Sequence, residues 1–338
     1  MTVTAPLETI TPRAQAPWRR WLRRHGWTVG VWLLLLVLVA WYATLIPRFG
    51  SFQVASIVNN GSPWVFLAAG QAIIVIAGGI DLGVGGLLVL TNVTAARLME
   101  GQSFEMTLVI AVGLVLVAAA INAGVGWIIN VSKVPDIVIT LGTLYVFQGL
   151  ALAVLPNPGG GTSEGFRWIF TGSKVGIGSN PWPAMVAMAI PILAASWWLG
   201  RTRSGLSIYA LGSDRDASYL SGVRAARTKV ISYAVGGGFA AIAGLATTAI
   251  AGRGNANNFG GNLTLNAVAA IVLGGVALTG GVGSLIAVVP AGLILFFLSP
   301  ILTAMGVDPN SAQIIQGVLI VVVMMIAGLI TWRRSRTT

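Results

Sequence analysis

The sequence predicts an all-α, polytopic membrane protein with about ten transmembrane helices and both termini on the cytoplasmic side. Three observations support this fold class. Hydrophobic residues make up 56% of the 338 residues, and 44 glycines come in addition. Charged residues account for only 9%, whereas soluble domains carry about 25%. The apolar residues also occur in runs of about 20, the length of helix that crosses a bilayer.

The first apolar run covers 27–46 and follows an arginine-rich segment. No small-x-small cleavage site comes after it, so we expect an uncleaved first span rather than a signal peptide. Residues 1–26 then form a basic cytoplasmic N-terminus that is disordered before Pro17. A single transmembrane domain covers 27–331, and 332–338 form a cytoplasmic tail. The further spans are predicted at 63–79, 83–99, 107–129, 135–155, 182–200, 230–251, 264–280, 284–304 and 312–331.

The basic residues provide an independent test of this topology. Of the 20 Lys and Arg residues, all but five fall on the side predicted to be cytoplasmic. Such a bias is typical of polytopic membrane proteins. Two connections are long: 156–181 is predicted to be extracytoplasmic, and 201–229 is the largest predicted cytoplasmic loop. The five basic residues on the outer side are Arg48, Arg97, Arg167, Lys174 and Arg253.

The composition excludes several classes of function. The net charge of +11 could indicate nucleic-acid binding, but the basic residues separate apolar runs instead of forming stripes with aromatic residues. The chain has no cysteine and one histidine, His25, which argues against a metal site. No lysine lies in a P-loop motif, so the chain itself is not expected to bind ATP. We therefore predict a protein that is not an enzyme and has no cofactor.

One acidic residue lies at membrane depth in the predicted topology. Asp81 belongs to the segment 78–86, in which five of nine residues are glycine. Such a composition favours a broken or sharply turned backbone over a continuous helix. A carboxylate in a break can accept hydrogen bonds from freed backbone N–H groups or cap the next half-helix. This structural role is favoured over direct contact with a solute.

Uncharged polar residues recur within other predicted spans. In lipid their amides and hydroxyls must find partners, so these side chains are expected to face the interior of the bundle. There they either hydrogen-bond neighbouring helices or line a path for a neutral polar solute. A path with almost no fixed charge argues against an ion pump or a proton relay. Together with Asp81, the candidates for the path are Gln71, Asn92, Asn122, Thr140, Gln148 and Asn266.

A second glycine-rich segment, 274–283, resembles the first. The residues before it, 268–273, are similar to 72–77. Both segments would run through the membrane in the same direction, which differs from the inverted repeats of many secondary transporters. The small residues predict a kink or a close approach of helices at both places.

Several segments carry recognisable motifs. Residues 78–85 (GGIDLGVG) match the pattern GGIDLSVG, and 134–143 (VPDIVITLGT) match PxFIvTLGT. Residues 208–212 (IYALG) with 217–223 match YAiGgN…AArLsGI, and 267–283 match AIAAVVLGGTSLSGGxG. In this order and combination, the motifs resemble those of the ribose/xylose/arabinose-type permeases of ABC importers. The resemblance covers nearly the whole chain after about residue 50.

This resemblance implies a type II-like ABC importer permease with ten helices in the bacterial plasma (inner) membrane. The expected partners are a cytosolic ABC ATPase, an extracytoplasmic solute-binding protein, a second permease copy in a homo- or heterodimer, and membrane lipid. The loop 201–229 would carry a coupling helix at about 214–223, through which the ATPase switches the bundle between outward- and inward-facing states. The coupling residues would be Asp214, Arg215, Asp216, Ala217, Leu220, Ser221 and Gly222.

The sequence departs from the family pattern at three places. Gly83 replaces the signature serine, Thr264 and Asn266 replace an acidic pair, and Asp214 replaces the loop asparagine. The lost acids are consistent with a different solute or with a pair of non-identical permeases.

The leading hypothesis is the permease subunit of an importer for a monosaccharide or a similar neutral polar solute. Related permeases carry nucleosides, branched-chain amino acids or sugar-derived signals. Alternatives of another class are a secondary carrier or channel, and a non-transporting scaffold.

Overall fold

The computed structural model describes residues 17–176, 178–257, 260–308, 310–318, 321, 322 and 325. These residues form helices and no strand, apart from one isolated bridge between Gly159 and Gly254. The all-α prediction is therefore confirmed. The helices are α1 (Pro17–Leu45), α2 (Ser51–Ile76), α3 (Val84–Met99), α4 (Phe104–Ser132), α5 (Asp136–Val154), α6 (Glu164–Thr171), α7 (Trp182–Arg201), α8 (Arg203–Ser213), α9 (Arg215–Leu220), α10 (Ala225–Ala251), α11 (Gly260–Leu273) and α12 (Leu285–Ala304).

Six of the described helices are long and apolar enough to cross a membrane: His25–Leu45 within α1, and α4, α5, α7, α10 and α12. The apolar helices α3 and Asn262–Leu273 are shorter, about 24 and 18 Å at 1.5 Å per residue. Helix α2 has 26 residues but contains the polar residues Asn59, Asn60 and Gln71. The ten-span topology and its orientation therefore stay a prediction.

Each predicted span up to residue 304 overlaps a helix, but several bounds differ. Helix α1 begins at Pro17, so the end of the predicted N-terminal segment is helical, and α2 begins at Ser51 instead of at 63. The predicted loops also contain helices, namely α6 between 156 and 181, and α8 and α9 between 201 and 229. Residues 310–318 are helical, but the rest of the span predicted to end at 331 lies largely outside the described residues. The tail 332–338 and residues 1–16 lie wholly outside them.

The helices form an inner group and an outer group. Helix α10 packs against α2, α3 and α4, and α2 also packs against α12. About two thirds of the membrane-length part of α10 is buried (67%), against 11% in α1 and 22% in α4. The outer helices expose large apolar side chains, among them Leu116, Trp127 and Tyr145. Such a broad apolar surface requires lipid or a partner subunit around it, as expected for a membrane protein.

Glycines allow the inner helices to approach each other closely. A Cβ atom on Gly70 of α2 would lie 2.8 Å from the carbonyl oxygen of Gly236 in α10. A Cβ atom on Gly237 would lie 2.7 Å from the carbonyl oxygen of Ala118 in α4. Helix α10 therefore crosses α2 and α4 with backbone against backbone, a contact that small residues permit between membrane helices.

Two glycine-rich breaks interrupt the inner helices. The first break, 77–83, joins α2 to α3, and the second break, 274–284, joins α11 to α12. Gly78 and Gly275 both have a φ of +80°, and the N–H of the next residue donates in each case to the carbonyl five residues earlier. This arrangement is the Schellman motif, which favours glycine because of the positive φ. The recurrence in the sequence thus corresponds to two helix ends of the same kind.

The two breaks contact each other at one end of the bundle. The N–H of Gly281 donates to the carbonyl oxygen of Ile76 over 2.9 Å. A Cβ atom on Gly280 would lie 3.0 Å from the Cα atom of Gly78. Helix α1 contacts the second break about three turns after its start, where the Trp27 indole N–H donates to the carbonyl oxygen of Leu273 over 3.0 Å.

Candidate functional site

Asp81 lies in the first break and is fully buried. Its carboxylate accepts hydrogen bonds from the N–H of Gly83 over 2.7 Å and from the side-chain amide of Asn122 in α4 over 2.9 Å. The same amide donates to the carbonyl oxygen of Tyr233 in α10. Asp81 and Asn122 therefore connect the break to α4 and α10. Their predicted contribution to the solute path stays a prediction.

A second polar group lies beside this contact. Asp136, in the first turn of α5, accepts hydrogen bonds from the ammonium group of Lys229 over 2.6 Å and from the hydroxyl of Tyr233 over 3.0 Å. Both charged side chains are partly buried. We call Asp81, Asn122, Asp136, Lys229 and Tyr233 the break network. It ties the first break to α4, α5 and α10 in one hydrogen-bonded group.

The other predicted path residues have different surroundings. The side chain of Asn92 is buried and donates to the hydroxyl of Thr248 in α10 over 2.9 Å. Thr140 is buried and bonds to the backbone carbonyl one turn earlier in α5. Gln148 is half-buried on the same helix. Gln71 is fully buried in α2, and neither polar atom of its amide has a hydrogen-bond partner among the described residues.

The predicted coupling segment contains the short helix α9. Its N-cap is Asp214, whose carboxylate accepts hydrogen bonds from the N–H groups of Asp216 and Ala217, each over 2.9 Å. The side chains of Tyr219 and Leu220 are 76% and 85% exposed. Exposed apolar side chains next to each other are typical of a surface that binds another protein. The role of α9 in coupling to an ATPase stays a prediction.

Helix α8 connects α9 to both breaks. The Tyr209 hydroxyl donates to the carbonyl oxygen of Gly283 in the second break over 3.0 Å. Burial raises the pKa of the Tyr209 hydroxyl above its ordinary value, which further favours the neutral form that donates this hydrogen bond. A Cβ atom on Gly212 would collide with the backbone of Ile76 at the first break and of Gly281 at the second. Helix α8, which Asp214 joins to α9, is therefore in direct backbone contact with both breaks.

A cavity of about 1290 Å³ lies at the opposite end of the bundle. Its α10 residues, such as Thr247, are about 27 Å along that helix from Lys229 of the break network. None of the described residues that line it carries a charged side chain. Three aromatic residues contribute to the wall: Tyr42, Trp64 and Phe296. Its other polar lining residues are Asn60, Thr247, Asn262, Asn266, Ser299, Thr303, Gln313 and Gln316.

Of the predicted path residues, only Asn266 lines the cavity. Asn60, Trp64, Asn262 and Gln316 were not predicted, because they lie near or beyond the ends of the predicted spans. The spacing of Asn60 and Trp64, four residues apart, was an available signal, since it places both on one helix face. Among the described residues, no group of three or more His, Cys, Asp or Glu side chains could hold a metal ion.

Comparison with known proteins identifies the family. Residues 53–324 match the family model described as the permease component of branched-chain amino acid transport systems. The chain belongs to this permease family. The sequence match includes both breaks, the break network, α9 and most of the cavity wall. No solved structure matches.

Three of the permease's relatives are named for sugars. The ribose import permease protein of Escherichia coli is 32% identical over 301 residues, covering 87% of this chain and 91% of that protein. The galactose/methyl galactoside import permease protein of the same organism is 31% identical over 308 residues, 86% of this chain and 91% of the relative. The D-allose transport system permease protein of Escherichia coli is 28% identical over 306 residues, which cover 89% of this chain and 92% of that protein. The resemblance stated from the motifs is confirmed, and this permease is a transport component rather than an enzyme.

Proposed function

We propose that this permease forms the translocation path of an ATP-driven importer for a monosaccharide or a similar neutral polar solute. It works in the bacterial plasma membrane with a cytosolic ATPase, an extracytoplasmic solute-binding protein and a second permease copy. Its relatives named as ribose, galactose and allose permeases support the solute class. The match over residues 53–324 supports the role as the membrane subunit.

The uncharged cavity is the observation that carries the solute proposal. Sugars offer hydroxyl groups and an apolar ring face, which amides and aromatic rings bind well. In the part of the chain that the structure describes, the cavity wall supplies both kinds of group and no charged side chain. A zwitterionic amino acid such as leucine carries two charges, which would lose hydration in this cavity without a charged side chain to compensate. The cavity therefore favours a sugar over the branched-chain amino acids in the name of the family model.

The arrangement of the two ends supports the proposed coupling. We infer ten spans with both termini in the cytosol, so that α8 and α9 face the ATPase and the cavity faces outward. The excess of Lys and Arg in the segments assigned to the cytoplasmic side supports this orientation. ATP-driven movement of α9 would reach the two breaks through Gly212 and Tyr209. The bundle would then switch between outward- and inward-facing states.

The test is solute accumulation by cells that lack this chain, before and after the chain is restored. The cells receive labelled ribose, galactose, allose or leucine in parallel. We expect the restored chain to give ATP-dependent accumulation of at least one sugar and none of leucine. Accumulation of leucine alone would refute the proposed solute class.

Two further outcomes separate the alternatives of another class. Sugar entry that persists after ATP depletion, with no ATPase copurifying with the chain, would favour a secondary carrier or channel. Full sugar uptake by cells without the chain would favour a non-transporting scaffold. Either result would overturn the proposed function.

A further inference from the structure

Gln71 differs from the other buried amides. Asn59 and Asn122 each have an unpaired side-chain oxygen, but their amide nitrogens donate hydrogen bonds. Gln71 is fully buried, and among the described residues both its nitrogen and its oxygen are without a partner. Buried polar groups in proteins are almost always hydrogen-bonded, and a polar side chain inside a membrane bundle indicates a functional role.

Gln71 continues the face of α2 that lines the cavity. Asn60, Trp64 and Leu67 are part of the cavity wall. The positions 60, 64, 67 and 71 are spaced by four, three and four residues, which places them on one side of a helix. Gln71 is therefore the next residue on this face, about 6 Å beyond Leu67 in the direction of the first break.

Leu67 and Leu88 line the cavity, and yet they are almost completely buried, with exposed fractions of only 1% and 2%. Leu67 belongs to α2 and Leu88 to α3, the two helices that the first break joins. Because α8 contacts this break through Gly212, a movement of α8 can change the separation of the two leucines.

We propose that Gln71 is an internal binding site for the transported solute, reached from the cavity when Leu67 and Leu88 move apart. The amide donates one hydrogen bond and accepts another from hydroxyl groups of a neutral, sugar-like solute. An amide and a hydroxyl match in this way because each of them both donates and accepts. This inference rests on the proposed function and adds a residue with a specific role to it.

The first test replaces Gln71 in the complete importer. Gln71→Leu removes both unpaired polar atoms and breaks no hydrogen bond within the described residues. We expect an unchanged or higher melting temperature and a loss of sugar uptake of about tenfold, the effect of losing one or two hydrogen bonds to the solute. Gln71→Asn keeps a shorter amide, so we expect uptake with a raised KM. Normal uptake by Gln71→Leu would overturn the proposal.

A matched control makes the same replacement elsewhere on α2. Gln53 lies in the first turn of the helix, where its side chain accepts a hydrogen bond from the N–H of Gly50. Gln53→Leu should leave sugar uptake unchanged. If Gln71→Leu lowers the melting temperature and uptake per folded molecule stays normal, Gln71 has a structural role and the proposal is wrong.

The second test uses the absence of cysteine from the sequence. Gln71→Cys introduces a single thiol, which can be labelled with a small hydrophilic methanethiosulfonate reagent. We expect slow labelling at rest, faster labelling during ATP hydrolysis, and protection by the transported sugar. Thr303→Cys, in the exposed part of the cavity wall, should be labelled at rest. Equal labelling of Gln71→Cys in all three conditions would refute the proposal.

Uptake by the unchanged permease separates this inference from the proposed function. If the unchanged chain imports no sugar, the proposed function is wrong. If it imports sugar and Gln71→Leu imports it equally fast, only the internal binding site is wrong.

Discussion

The family pattern is not followed at Asp214, Gly83 and Asn266. The structural consequence of the replacement differs among these three positions. Asp214 caps α9 as an asparagine would, because the two residues are about equally good N-caps. A Cβ atom on Gly83 would meet the hydroxyl of Thr143 in α5, so that residue occupies the space of the missing side chain. Asn266 lines the cavity, and replacing an acid there removes a charge from the proposed solute compartment.

Replacing Asp81 is expected to destabilise the fold around the first break. In Asp81→Ala the N–H of Gly83 loses its partner, and the amide of Asn122 loses one of two. Each unpaired buried group costs about 1–3 kcal/mol, so we expect a lower yield and a lower melting temperature in detergent. Asp81→Asn retains an acceptor for Gly83 and should give an intermediate value. Size-exclusion chromatography after heating measures the difference.

The experiment also decides between the two roles considered for this residue. Normal stability of Asp81→Ala with no uptake would indicate direct contact with the solute. Normal stability with full uptake would show that the carboxylate is dispensable.

Helix α9 has an N-cap at Asp214 and two exposed apolar side chains, Tyr219 and Leu220, at its C-terminal end. Charge reversal at Asp214, Arg215 and Asp216 is expected to separate ATP hydrolysis from uptake. That change also removes the cap, which stabilises a helix by about 1 kcal/mol, and therefore disturbs the helix as well as the surface. Leu220→Glu is the cleaner variant, because the side chain is 85% exposed and takes no part in the cap.

For Leu220→Glu we expect sugar uptake to fall about tenfold while the permease keeps its melting temperature. An added charge in an apolar contact with the ATPase weakens docking without changing the fold. Uptake and ATP hydrolysis by the complete importer are measured together. Asp214→Asn preserves the cap and should behave like the unchanged chain. Full uptake by both Leu220→Glu and the charge-reversed variant would contradict the docking role.

Some helix boundaries could be read from the sequence and others could not. The glycines of 78–86 and 274–283 predicted both breaks, because positive φ angles demand them. The span predicted at 63–79 follows the apolar run and leaves out the first turns of α2, which contain the polar residues Asn59 and Asn60. Both amides find partners in the folded chain, Asn59 at the carbonyl oxygen of Thr171 and Asn60 one turn earlier in α2. The contact of Asn59 depends on tertiary packing, which overrides local preference, whereas that of Asn60 lies within the helix itself.

For the whole molecule, we predict ten spans with both termini on the cytoplasmic side. Reporter fusions after the C-terminus and within 201–229 should be cytoplasmic, and a fusion within 156–181 should be extracytoplasmic. An alkaline phosphatase reporter is active only outside, and a fluorescent protein reports the cytosol. The bias of basic residues toward one side is the physical reason for this expectation. A C-terminus found outside would refute the ten-span topology.

The family and the all-α class followed from motifs and composition, whereas the cavity did not. Its wall combines residues from α1, α2, α3, α10, α11 and α12 and from 313–317, which lie far apart in the sequence. Amides such as Asn92 and Asn266 look alike in a sequence. Only the packing shows that Asn92 bonds to Thr248 while Asn266 faces the cavity.

Helix α10 extends without interruption for 27 residues, about 40 Å, from the neighbourhood of α9 to the cavity. Its glycines hold its backbone against α2 and α4 along the way. Under the proposed function, this helix would link the ATPase-facing end of the bundle to the end that holds the cavity. The number of ATP molecules hydrolysed per imported sugar is then expected to stay constant as the external sugar concentration falls.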